Sequence, residues 1–116
     1  MNTIEVPTLN NEYKVIVCFG TPEHIEKVLK KYGHKLDTKS SIIGNRGTCF
    51  YSSKENHPVI ALPTFPKTPE QIGTLAHEAV HATEDIFIKI GQPPSGELFA
   101  HSVGAIVRTV LIKILV

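Results

Sequence analysis

TPEQIGTLAHEAVHATEDIFIKIG, residues 68–91, carries the signals of one long helix from start to stop. Thr68 is a hydroxyl N-cap, Pro69 has the fixed φ suited to the first helical position, and Glu70 puts an acid at the positive end of the helix dipole. Ile72, Leu75, Ala76, Ala79, Val80, Ala82, Ile86, Phe87 and Ile90 supply the apolar content. Ala79 and Ala82 are small enough for another element to approach closely. The helix should run to about Ile90 and stop at Gly91.

Working outward, Gln92-Pro93-Pro94-Ser95 is a rigid break. Ser95 or Gly96 then caps a last helix from Glu97 toward the C-terminus. Val103, Ile106, Val107, Val110, Leu111 and Ile114 follow its 3.6-residue period. Upstream, Thr21-Pro22-Glu23 repeats the helix-start pattern, with Ile25, Val28 and Leu29 as the apolar stripe and Gly33 as the stop. Tyr13 to Phe19 (YKVIVCF) reads as a buried strand. Thr48 to Ser53 (TCFYSS) and Val59 to Leu62 (VIAL) read as two short strands, with Lys54 to His57 joining them as a hairpin. Pro58 and Pro63 bracket the second, which suggests a short strand or a sheet edge. Asp37 to Gly47 is polar, with a turn signal at Gly44-Asn45-Arg46-Gly47. The resulting order, β-α-β-β-α-α, is an α+β domain spanning 1–116: a small mixed or antiparallel sheet with two packed C-terminal helices.

The 116 residues allow one modest core. The apolar share of 41% and charged share of 20% are those of a soluble globular chain. Twelve basic and 11 acidic side chains leave a net charge of +1, which gives no electrostatic case for nucleic acid or an anionic membrane. Met1 to Glu12 is polar and mixed, without a signal-peptide pattern. Val103 to Val116 is too short to span a bilayer and carries Arg108 and Lys113. A cytoplasmic protein with no membrane partner is expected. Cys18 and Cys49, both in strand-like sequence, read as buried free thiols.

Within the long helix lies His77-Glu78-Ala79-Val80-His81. Two His four residues apart project from one helical face, so their imidazoles can meet at one metal ion. Glu78 does not ligate; it can lean over the open coordination position and take a proton from bound water. This is the HExxH logic of zinc hydrolases. A His pair on a solvated face is the bland alternative, and the otherwise apolar helix argues against it. A catalytic zinc needs a third protein ligand. Glu84 and Asp85 lie on the same helix, where Asp85 would extend the ligand row at the cost of tetrahedral geometry. Glu97 and His101 lie one turn apart on the last helix. Glu97 is the preferred third ligand, and His101 is either a ligand or a group that steadies a ligand or a substrate carbonyl.

At His77, Glu78, His81 and Glu97 the chain resembles the zincin metallopeptidases, in particular the gluzincin branch, where a Glu on a following helix completes the two His. Thr74 to Gly104 also resembles small metallopeptidase-like proteins encoded by bacteriophages. The resemblance covers the C-terminal part of the chain. The thermolysin branch has an Asp one turn after its ligand Glu, where this chain has His101, and no third His follows at the metzincin spacing. The resemblance implies a zincin-like core, a bound Zn2+, and a peptide or protein substrate held along an edge strand, here Val59 to Leu62 or Cys49 to Ser53.

Catalysis of this kind would use Glu78 as general base and an electrophile drawn from His101, Tyr51 and His57. Two other readings stay open. Zinc would tie two helices together in a non-catalytic module that presents a surface to a host protein, marked by a fourth protein ligand in place of water. Or the apolar C-terminal helix would join copies into a homo-oligomer.

Overall fold

The computed structural model describes residues 2–9, 12–34, 47–52 and 57–115. Four strands form one mixed sheet: β1 (Thr3–Thr8), β2 (Tyr13–Phe19), β3 (Thr48–Phe50) and β4 (Val59–Leu62), in the order β1-β2-β4-β3. Three helices complete the described fold: α1 (Pro22–Lys31), α2 (Pro69–Lys89) and α3 (Gly96–Leu115). β1 and β3 run antiparallel to their neighbours, while β2 and β4 are parallel, with Ile16 opposite Val59 and Phe19 opposite Leu62. The chain is an α+β domain with its two C-terminal helices packed together.

The middle strands have apolar side chains on both faces because both faces are covered. Val15, Val17, Phe19, Ile60 and Leu62 point into a core shared with Leu75, Ala79, Ala82 and Ile86 of α2 and Ile106 and Val110 of α3. Ile16, Cys18, Val59 and Ala61 point the other way, onto Ile25, Val28 and Leu29 of α1. One helix therefore covers one face and two cover the other. The last helix buries Ile106 and Val110 completely and leaves Leu98 and Ile112 exposed.

Both Thr-Pro-Glu sequences start helices as their chemistry requires. Thr21 Oγ1 accepts the His24 N–H at 3.3 Å. Thr68 forms a full capping box: its Oγ1 accepts the Gln71 N–H, and Gln71 Oε1 accepts the Thr68 N–H, both at 3.2 Å. Gly33 and Gly91 follow α1 and α2 with φ of 81° and 74°, the left-handed conformation that suits glycine after a helix.

Two features differ from expectation. The polar N-terminal segment contains β1, in which Ile4 and Val6 alternate with exposed Glu5 and Pro7. And β4, short at four residues as its flanking prolines suggest, lies inside the sheet rather than at its edge. Its flanking prolines lie outside Val59–Leu62, so no ladder N–H is lost; Pro58 instead offers its carbonyl to the Ile16 N–H at 3.0 Å. β3 is three residues long, and Tyr51 and Ser52 continue past it. The proposed hairpin connection and most of the polar Asp37 to Gly47 segment lie outside the described residues.

Both cysteines are free. Burial pushes the Cys18 thiol up to about 12 from the ordinary 9.0. Cys49 is also raised, by burial first and then by Glu78, Asp85 and Glu84. The folded state thus holds both protons where the unfolded chain releases them. That stabilisation is complete below the unfolded value and is lost as pH rises from there toward the folded value. Urea denaturation in reducing buffer should show stability falling above pH 9, by up to about 1.4 kcal/mol per pH unit per thiol. The fall should be shallower in Cys18→Ala.

Candidate functional site

α2 lies across the sheet with Leu75, Ala79, Ala82, Thr83 and Ile86 buried. Its next face around, through His77, His81, Glu84 and Asp85, comes up beside the chain leaving β3. This placement follows from the helical period: positions four and seven apart share one side. His77 and His81 converge there. Their Nε2 atoms are 3.2 Å apart, with ring centroids at 4.8 Å and planes inclined by 75°. Two imidazoles on one tetrahedral zinc, each bonded at 2.0–2.1 Å, would be separated by about 3.3 Å. The pair therefore has the span of a divalent-ion chelate.

The outer nitrogen of His81 is held from two sides. Its Nδ1 lies 3.0 Å from the Tyr51 hydroxyl and 3.2 Å from Glu84 Oε1. With the proton on Nδ1, the ring donates to Glu84 or to the Tyr51 oxygen and keeps a lone pair on Nε2, the arrangement of a metal-binding histidine with an acceptor behind it. With the proton on Nε2, the ring donates to His77 and accepts from Tyr51. The tautomer and the inner contact are thus coupled.

Glu78 turns inward. It is 8% exposed, and its Cγ would stand 3.5 Å from a Cβ added at Gly47, the residue before β3. That Cβ would also lie 2.8 Å from Leu62 Cδ2 and from Thr74 Cγ2. Only glycine lets the backbone pass this close over α2.

Asp85 does not extend the ligand row. Its Oδ2 accepts both the Ser52 N–H at 2.8 Å and the Ser52 hydroxyl at 2.6 Å. Lys89 Nζ donates to that hydroxyl at 3.4 Å. Tyr51 is 56% exposed. Burial of its hydroxyl end, then Cys49 and the carboxylates of Glu84, Asp85 and Glu78, raise its pKa above the ordinary phenol value.

Glu97 and His101, expected at the metal, are not brought to the histidine pair. Their side chains are 93% and 80% exposed and pair with each other, Glu97 Oε2 to His101 Nε2, at 3.6 Å. The reason is the level at which the two helices meet. Phe87 and Phe99 stack edge to face across the helix pair at 5.3 Å. At 1.5 Å per residue, His81 lies about 9 Å and His77 about 15 Å back along α2 from Phe87. Glu97 lies on the opposite side of that contact. The residues of α3 roughly level with the pair are Ala105 and Thr109, neither a usual zinc ligand. Among the described residues no three His, Cys, Asp or Glu side chains group to hold an ion. His57 is also elsewhere: its carbonyl accepts from His34 Nε2 at 2.6 Å. Burial, then Lys14 and Lys89, lower its pKa.

The fold and site together define an α+β domain that carries an imidazole pair and a buried glutamate on one helix, beside β3 at one edge of its sheet. Comparison with family models, curated proteins and solved structures gives no match to this chain. No helix among the described residues is long and apolar enough to cross a membrane.

Proposed function

We propose that the chain is a zinc-dependent hydrolase acting on peptide bonds, with the ion held by Nε2 of His77 and His81 and with Glu78 as general base; among the described residues no third protein ligand joins the pair, which leaves the other coordination positions to water and substrate. The observation that carries this reading is the 3.2 Å approach of the two Nε2 atoms on a helix whose intervening carboxylate is buried. Bound zinc would supply Lewis acidity and lower the pKa of a coordinated water. The protein's own groups do the rest. Glu84 orients His81 through Nδ1. Glu78, adjacent in sequence to the first ligand, accepts a proton on its carboxylate and returns it to the leaving amine. β3 lies at one edge of the sheet, alongside the site, which suits an extended peptide more than a compact ligand. Two free thiols accord with a reducing compartment, the cytoplasm.

The deciding experiment is metal stoichiometry with turnover. Protein stripped with chelator and titrated with Zn2+ in a calorimeter should bind one ion per chain. His77→Ala and His81→Ala should each weaken binding by more than the roughly 10–100-fold typical of losing an outer-shell partner. The loaded protein should cleave members of a quenched-fluorescence peptide library, and chelator should stop it. Binding with no cleavage would favour the metal-tied, non-catalytic module; folded protein that takes up no zinc would remove the metal reading.

A further inference from the structure

We infer that Asp85 is a positioning residue of the histidine pair: it fastens Ser52 to α2, and so keeps the Tyr51 hydroxyl against Nδ1 of His81 with Nε2 turned toward His77. This rests on the metal-site reading above but concerns a residue that touches neither imidazole.

Three observations carry the inference. First, one carboxylate oxygen takes two hydrogen bonds from one residue, the Ser52 N–H at 2.8 Å and its hydroxyl at 2.6 Å. A charged acceptor makes each stronger than a neutral pair would be. Second, the fastened residue is the immediate neighbour of Tyr51, which has left β3 at Phe50 and has no ladder of its own to hold it. With its side chain 56% exposed, Tyr51 has little packing to fix its place. Third, Asp85 lies one helical turn beyond His81, so the anchor and the imidazole share a rigid element. The Tyr51 hydroxyl reaches His81 Nδ1 at 3.0 Å. Asp85, Ser52, Tyr51 and His81 thus form a closed loop from helix to strand end and back. Without the anchor the strand end would be free to swing, and the imidazole would lose one of the two groups at its Nδ1.

The test uses the whole chain and Co2+, whose visible spectrum reports its ligands. Asp85→Ala and Tyr51→Phe should each weaken Co2+ binding by about 10–100-fold. The double variant should be no weaker than the worse single one, because both changes remove the same support. In the metal-free protein, ring 15N resonances should show His81 in a defined tautomer. Asp85→Ala should shift its Nδ1 signal toward the tautomer average while leaving His24 unchanged. A merely structural role for Asp85 would lower stability without moving that signal, and would add to the effect of Tyr51→Phe. Wild-type Co2+ affinity in Asp85→Ala, or additive losses, would overturn the inference and leave the metal site standing. If Asp85→Ala does not fold, Tyr51→Phe decides, since unchanged affinity there overturns it equally. If the wild type takes up no Co2+, the metal reading falls, and the ring spectra still decide whether Asp85 orients His81.

Discussion

Glu78→Gln is expected to bind zinc as the wild type does and to hydrolyse peptides about 10²–10⁴-fold more slowly, the usual contribution of a positioned general base. The amide keeps the size and planarity of the carboxylate, so its contacts beneath β3 survive. It cannot accept a proton at neutral pH, so the step assigned to Glu78 has no agent. Because His77 and His81 supply the imidazoles, the zinc titration should be little changed. Because the two bind zinc alike, the ion should raise the stability of both by the same amount. A variant that cleaves at the wild-type rate would take Glu78 out of the chemistry. Lost cleavage with lost zinc would make Glu78 a support of the metal rather than a base.

The sequence made the helices and central strands readable because their local signals agree with their surroundings. Thr-Pro-Glu caps sit where helices begin, and VIVCF and VIAL are apolar throughout because the sheet is covered on both faces. β1 was harder, since one face is solvated and only Ile4 and Val6 mark the other. The prolines around β4 marked a short strand, as it is, but did not tell that it lies inside the sheet. The site divides the same way. The meeting of His77 with His81 is a property of helical spacing and needs no tertiary information. The contacts of Tyr51 and Asp85 depend on where a strand end passes a helix thirty or more residues later in the chain, and no local pattern encodes that. Glu97 shows the complementary difficulty. Its place after a tight turn is readable, but its level along the neighbouring helix depends on which side chains interdigitate, here Phe87 with Phe99.

Ile106→Ala should be the most damaging single truncation on α3, with a loss of about 2–5 kcal/mol in urea denaturation. Ile106 is fully buried, in the core that joins β1, β2 and β4 to α2 and α3. Removing its outer carbons leaves a cavity between elements that cannot all close on it, because each is also held by its other neighbours. Domains of this size are stable by only about 5–15 kcal/mol in total, so the variant should lose much of its margin and melt many degrees lower. Ile112→Ala is the matched control. It lies on the same helix but is 53% exposed, so a change within about 0.5 kcal/mol is expected if that face meets only solvent. If copies of the chain pair through it, Ile112→Ala would instead show a loss that grows with protein concentration. The comparison bears on the site because α3 backs α2 on the side away from the histidines. If α3 seats α2, zinc affinity in Ile106→Ala should fall along with stability as temperature rises, and it should recover on cooling. Equal losses from the two truncations would mean that α3 does not pack on the sheet with Ile106 inward, and the helix pair beneath the site would have to be rebuilt.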